Sequence, residues 1–137
     1  MKFTTKNNLD KVICITEYQQ ENNWIHAYWD GFANVEAIKC WGENFIKLIE
    51  ETNCPYILVD GTKSTGPWSH ALDWIQSDLL PRSVALGVKF YAHVVSQNRF
   101  SEMSAKELRT KIQDQMEMLT FKTLEEAKDW LQLKQES

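Results

Sequence analysis

The chain predicts an α/β fold: a mixed five-stranded sheet with about four helices, in the order ββαβαβαβα. Three observations carry that expectation. Two strand-like segments lie side by side near the start, helical stripes then alternate with strands, and an unbroken apolar run sits in the middle of the chain. Val12 to Tyr18, VICITEY, and Trp24 to Asp30, WIHAYWD, are rich in β-branched and aromatic residues and flank the polar QQENN, so they read as a β-hairpin. Asn34 is a candidate N-cap for a helix to about Thr52. Ile38, Trp41, Phe45, Leu48 and Ile49 mark its inner face.

The run CPYILVD gives the central strand, Tyr56 to Asp60, whose adjacent apolar residues imply cover on both faces and parallel neighbours. Trp68, Ala71, Leu72, Ile75 and Leu79 form the next helical stripe, with Pro67 expected in its first turn and Pro81 at its end. Val88 to Val95 reads as the fourth strand. Ser104 with Glu107, and Thr123 with Glu126, have capping-box spacing and predict two further helices, with the short apolar piece MLTF between them. With 137 residues and a mass of 16.0 kDa, residues 1–137 are expected to form a single domain, loosely ordered at 1–10 and 134–137.

Composition narrows the function. A net charge of −4 with scattered basic residues argues against a nucleic-acid partner. Apolar runs are too short for a transmembrane segment or a signal peptide, so a cytoplasmic location is expected. Cys14, Cys40 and Cys54 have no metal or disulfide spacing and read as buried free thiols. His26 and His93 fall on strands, where a histidine among aromatics belongs to the core, so no metal and no cofactor is expected.

The segment VDGTKSTGPW holds the candidate site. Gly61 and Gly66 have the spacing that opens a phosphate-binding loop, but Pro67 and Trp68 stand where such a loop needs Lys and Ser or Thr, which excludes NTP hydrolysis. Asp60, Ser64 and His70 supply the residue types of a catalytic triad without a nucleophile elbow, so a non-enzymatic role is favoured. A helix start after a glycine loop, with Lys63 beside it, predicts a place for an anion. In open α/β sheets ligands sit above the carboxyl ends of the strands. Asp60, Gly61, Thr62, Lys63, Ser64, Thr65, Gly66 and Trp68 are therefore expected to line one wall of a crevice, and residues 96–101 the other. Trp68 and Trp74 would offer an aromatic wall, and the expected ligand is a small anionic or lipid-like molecule. A helix-capping role for Ser64 or Thr65 is the competing reading.

The segments WDGF (Trp29 to Phe32), YILVDGT (Tyr56 to Thr62), GVKFYAHVVS (Gly87 to Ser96) and FKTLEEAKDWL (Phe121 to Leu131), together with the element order, resemble the SpoIIAA-like proteins of the STAS superfamily across nearly the whole chain. The resemblance implies a binding or regulatory module. It also implies, as the alternative, a protein partner controlled by phosphorylation of the anti-sigma antagonist type, with Ser64 or Thr65 at the position of the phosphorylated residue. Lys63 stands where that superfamily has an acid, and Thr65 where it has a second serine. Similarity of that branch to lipid-carrying domains adds an apolar ligand or peripheral contact with a membrane surface. A second copy of the chain is a further candidate partner, and a small-molecule enzyme of unknown reaction is the third reading.

Overall fold

The computed structural model describes residues 1–136. Six strands form one sheet: β1 Lys2–Lys6, β2 Val12–Gln19, β3 Trp24–Gly31, β4 Tyr56–Ser64, β5 Phe90–Val94 and β6 Glu117–Phe121. Their order across the sheet is the order in the chain. β1, β2 and β3 pair antiparallel, whereas β3, β4, β5 and β6 run parallel. The sheet thus has six strands, not the five expected. The extra one comes from the first ten residues, where a loose segment was expected. Lys2–Lys6 is too short and polar to announce a strand, but Phe3 packs on the core and Thr5 is buried against β2.

Four helices complete the fold: α1 Val35–Thr52, an irregular α2 over residues 69–85, α3 Arg99–Ile112 and α4 Leu124–Glu136. Each parallel connection steps the same way along the sheet, so connections of one hand place α1, α2 and α3 on one face. The large core cluster lies there, with Ile38, Trp41, Phe45, Ile75, Leu79 and Leu108 from these helices. α4 makes no crossover and is free to close the other face. Its Ala127 and Leu131 pack on Trp24, Leu58, Ala92 and Val94. Strand alternation sends Ile57 and Val59 to the first face and Leu58 to the second, which is why β4 reads as continuously apolar.

Local chemistry accounts for the boundaries. The Asn34 side chain accepts the Ala37 N–H at 2.9 Å, and α1 ends on Asn53, in the left-handed conformation, whose N–H reaches Ile49 O. Thr123 takes the expected capping position of α4: its Oγ1 accepts the Glu126 N–H and donates to the Glu126 carboxylate, so the Glu126 half of the capping box closes on the hydroxyl and not on the backbone N–H. Two starts differ from expectation. α3 begins at Arg99, capped by Asn98, which accepts from Phe100 N and Ser101 N; Ser104 lies inside the helix, bonded to Phe100 O. α2 has no side-chain cap, opening with a 3-10 turn at Ser69–Ala71 after Trp68 and not on Pro67.

Pro81 does not end α2, which continues to Ala85. Before it, Ile75–Leu79 widens into a π-helical stretch in which Leu80 N–H reaches Ile75 O. The widened turn accommodates the missing N–H of proline, where a regular helix would lose a bond and clash. Cys14 and Cys54 are buried as expected, but Cys40 is exposed on the outer side of α1.

Gly42 lets Trp74 and Leu79 of α2 lie close against α1. A Cβ there would lie 2.6 Å from the indole of Trp74 and 3.2 Å from Leu79 Cδ1. Gly→Ala in a helix interior ordinarily stabilises by about 0.5–1 kcal/mol, but overpacking costs about 1–3 kcal/mol. The clash therefore wins: Gly42→Ala is expected to lower the thermal midpoint in a melting experiment, and Gly42→Val to lower it further.

A candidate ligand cavity beneath Trp68

The carboxyl ends of β3 and β4 carry small side chains on the face under α1 and α2. Gly31, Ala33, Ser64 and Thr65 occupy the places that Trp, Phe and Ile fill deeper in the layer, and the helices cannot close the gap. The result is a cavity of about 100 Å³ between sheet and helices. Its wall is almost wholly apolar, with Trp29, Trp41, Phe45, Val59 and Leu108 among the contributors. Thr65 and Pro67 are the exposed lining residues, and Gly31, Ala33, Ser64 and Trp68 beside them are half-buried, which places the mouth at the carboxyl end of the sheet; Trp29 and Tyr91 are half-buried as well.

Of the expected site residues, Ser64, Thr65 and Trp68 line this cavity, whereas Asp60, Gly61, Thr62, Lys63 and Gly66 do not. β4 explains the split. It does not stop at Asp60 but pairs with β3 as far as Ser64, with a register shift, so most of the supposed glycine loop is strand. Asp60 is in register with Val94, on the face closed by α4, and its carboxylate accepts the Thr62 N–H at 3.0 Å and the Thr62 hydroxyl at 2.7 Å. Gly61 is small for a different reason than phosphate binding: a Cβ there would stand 2.9 Å from Val94 O and 3.0 Å from His93 Nε2.

The anion-binding helix start is also absent. Thr65 N–H bonds to Gly31 O and Trp68 N–H to Ser104 Oγ, and neither Ser64 nor Thr65 caps a helix. Residues 96–104 do not face this segment across a crevice; they hold it directly. Ser96 Oγ donates to Ser64 O, and Ser101 Oγ to Gly66 O. Asp60, Ser64 and His70 do not assemble, since His70 is exposed and its ring rests 5.9 Å from that of Phe32. Trp74 packs against α1 and takes no part in the cavity wall.

Tyr91 and His93 do line the cavity, and the sequence reading assigned them no role there. They are two residues apart on β5, hence on one face, and Tyr91 Oη lies 2.7 Å from His93 Nδ1. That spacing was the available signal. Trp68 stacks on the imidazole with ring centroids 5.7 Å apart. Burial pushes the His93 pKa down to about 4, against the opposing pull of the Asp60 carboxylate, and burial pushes the Tyr91 phenol up. Both groups are neutral at pH 7. His26 lies on the opposite face, in register with Leu58; burial lowers its pKa too, and its Nε2 is buried without a partner among the described residues. The two strand histidines therefore do not meet, and no cluster of three or more metal-ligating side chains occurs among the described residues. No helix among them is long and apolar enough to cross a membrane.

His93 makes stability depend on pH. Its folded-state pKa of about 4 lies below the ordinary imidazole value of 6.5, so protonation favours the unfolded chain. The contribution is complete above pH 6.5 and declines as the pH falls toward 4. Urea unfolding at pH 7 and pH 4.5 is expected to show the wild type losing about 2 kcal/mol more than His93→Leu over that interval. Equal losses would show that the imidazole is not sealed in the fold.

No family model, no curated protein and no solved structure matches this chain. The likeness to SpoIIAA-like proteins rests on the sequence segments alone.

Proposed function

We propose that the protein is a non-enzymatic binding module that takes up a small, mainly apolar molecule in the cavity beneath Trp68. The observation that carries this reading is the cavity itself, about 100 Å³ of space with an apolar wall inside an otherwise packed layer. Protein interiors are close-packed, and an unfilled space of this size forfeits dispersion contacts on every side. Apolar cavities of about 150 Å³ stay dry and bind benzene or xenon. The mouth lies at the carboxyl ends of the parallel strands, where open α/β sheets bind their ligands.

Lipid-like molecules fit this reading through an apolar end in the cavity. The polar end of such a ligand would meet Ser64 and Thr65 at the mouth, with Lys63 exposed nearby on the same strand. Trp29, Trp41 and Trp68 all border the space and give the binding an optical signal.

Saturating the wild type at ten times the dissociation constant is expected to stabilise it by about 1.4 kcal/mol. That corresponds to a rise of several degrees in melting temperature for a domain of this size. A thermal-shift and tryptophan-emission screen over hydrocarbons, alcohols and short fatty acids of five to ten carbons checks it. Trp68→Ala should remove a large share of the emission change. An unmoved melting temperature and emission across the whole set would overturn the reading.

A further inference from the structure

We infer that the cavity selects a neutral ligand carrying a hydrogen-bond acceptor, met by the Nε2–H of His93, with Tyr91 as the positioning residue that fixes the tautomer. The inference rests on the cavity reading and adds the chemical class of the ligand. His93 is only 6% exposed, lines the cavity, and has one hydrogen bond, between its Nδ1 and Tyr91 Oη. Its Nε2 makes no hydrogen bond within the described residues and, unlike the Nε2 of His26, is not fully enclosed by protein. The ring cannot swing away to find one: Trp68 covers one side, and the backbone at Gly61 lies beside Nε2.

Counting donors and acceptors decides the tautomer. A phenol has one O–H, and a neutral imidazole has one N–H and one bare nitrogen. If Nδ1–H donated to the Tyr91 oxygen, the Tyr91 O–H and the bare Nε2 would both be left unsatisfied in an apolar space. If Tyr91 O–H donates to Nδ1, a single group remains, the Nε2–H. Each unsatisfied buried group carries a desolvation cost, so the second arrangement is preferred. The cavity thus holds one N–H donor in an apolar wall.

A donor in that setting recognises an acceptor oxygen: the carbonyl of a small ketone, ester or lactone, or the oxygen of an alcohol. An anion is disfavoured because no cation lines the space to offset its lost hydration. A lone water is a poor substitute, since it needs two to four polar partners and the surrounding wall is apolar. Ligand binding would satisfy the one orphan donor, which makes polarity at a single point the basis of selection.

Two probes of equal size and shape separate the class from the cavity: cyclohexanone, which accepts a hydrogen bond, and methylenecyclohexane, which does not. Their dissociation constants for the wild type, His93→Leu and Tyr91→Phe are read from tryptophan emission. Nitrogen-15 imidazole spectra of the wild type report the tautomer. The ratio of ketone to hydrocarbon affinity is expected to fall about tenfold in His93→Leu and part of that in Tyr91→Phe. The free wild type should show a protonated Nε2 whose signal moves with the ketone and not with the hydrocarbon. Both probes binding with the same ratio in all three proteins, or a protonated Nδ1, overturns the inference and leaves the cavity reading standing. Neither probe binding overturns both. Should His93→Leu fail to fold, Tyr91→Phe and the wild-type spectra decide alone.

Discussion

Burial of β4 on both faces is the constraint on which the rest of the structure depends. A strand with Ile57 and Val59 on one side and Leu58 on the other can leave neither side to water, so the chain must supply two apolar layers. Three like-handed connections necessarily deliver their helices to one face, which leaves a single element, α4, to close the second. The asymmetry between a large core under α1, α2 and α3 and a small one under α4 follows from that arithmetic of connections.

Crowding three helices onto one face has consequences for their shape. α1 is regular, but α2 must approach it closely enough that Gly42 meets the Trp74 indole, and it must continue past Pro81. A 3-10 start and a π-helical middle are how one segment meets both demands. The same crowding leaves the gap at the carboxyl end of the sheet, because the chain there carries Gly31, Ala33, Ser64 and Thr65 in place of bulky side chains. Three serines, Ser96, Ser101 and Ser104, then hold the segment over the gap in place through backbone groups, so the cavity mouth has a rigid frame.

Tyr91 and His93 are a polar pair within this largely apolar layer. Trp41 shows how the same layer treats other polar atoms, donating its indole N–H to Thr16 Oγ1 at 2.8 Å. Tyr91 and Nδ1 follow that rule by pairing with each other. The Nε2 of His93 departs from it, making no hydrogen bond within the described residues. Burial keeps the imidazole neutral at pH 7.

The hairpin, the Asn34 cap, the Thr123 cap and the apolar run at Tyr56 were legible in the sequence, because each is set by residues within a few positions of one another. The fold class followed from their order. What lay beyond reach was decided by neighbours distant in the chain. β1 is a strand only because β2 offers it an edge and the core takes Phe3. β4 runs on to Ser64 only because β3 extends beside it, and that extension turned an apparent phosphate loop into sheet. The start of α3 moved to Arg99 because Asn98 makes the better cap once Ser104 is engaged by Trp68. The cavity belongs wholly to the tertiary level. Residues from β3, β4, β5 and three helices border it, and its existence depends on the space their side chains leave unfilled, a quantity that no local pattern encodes.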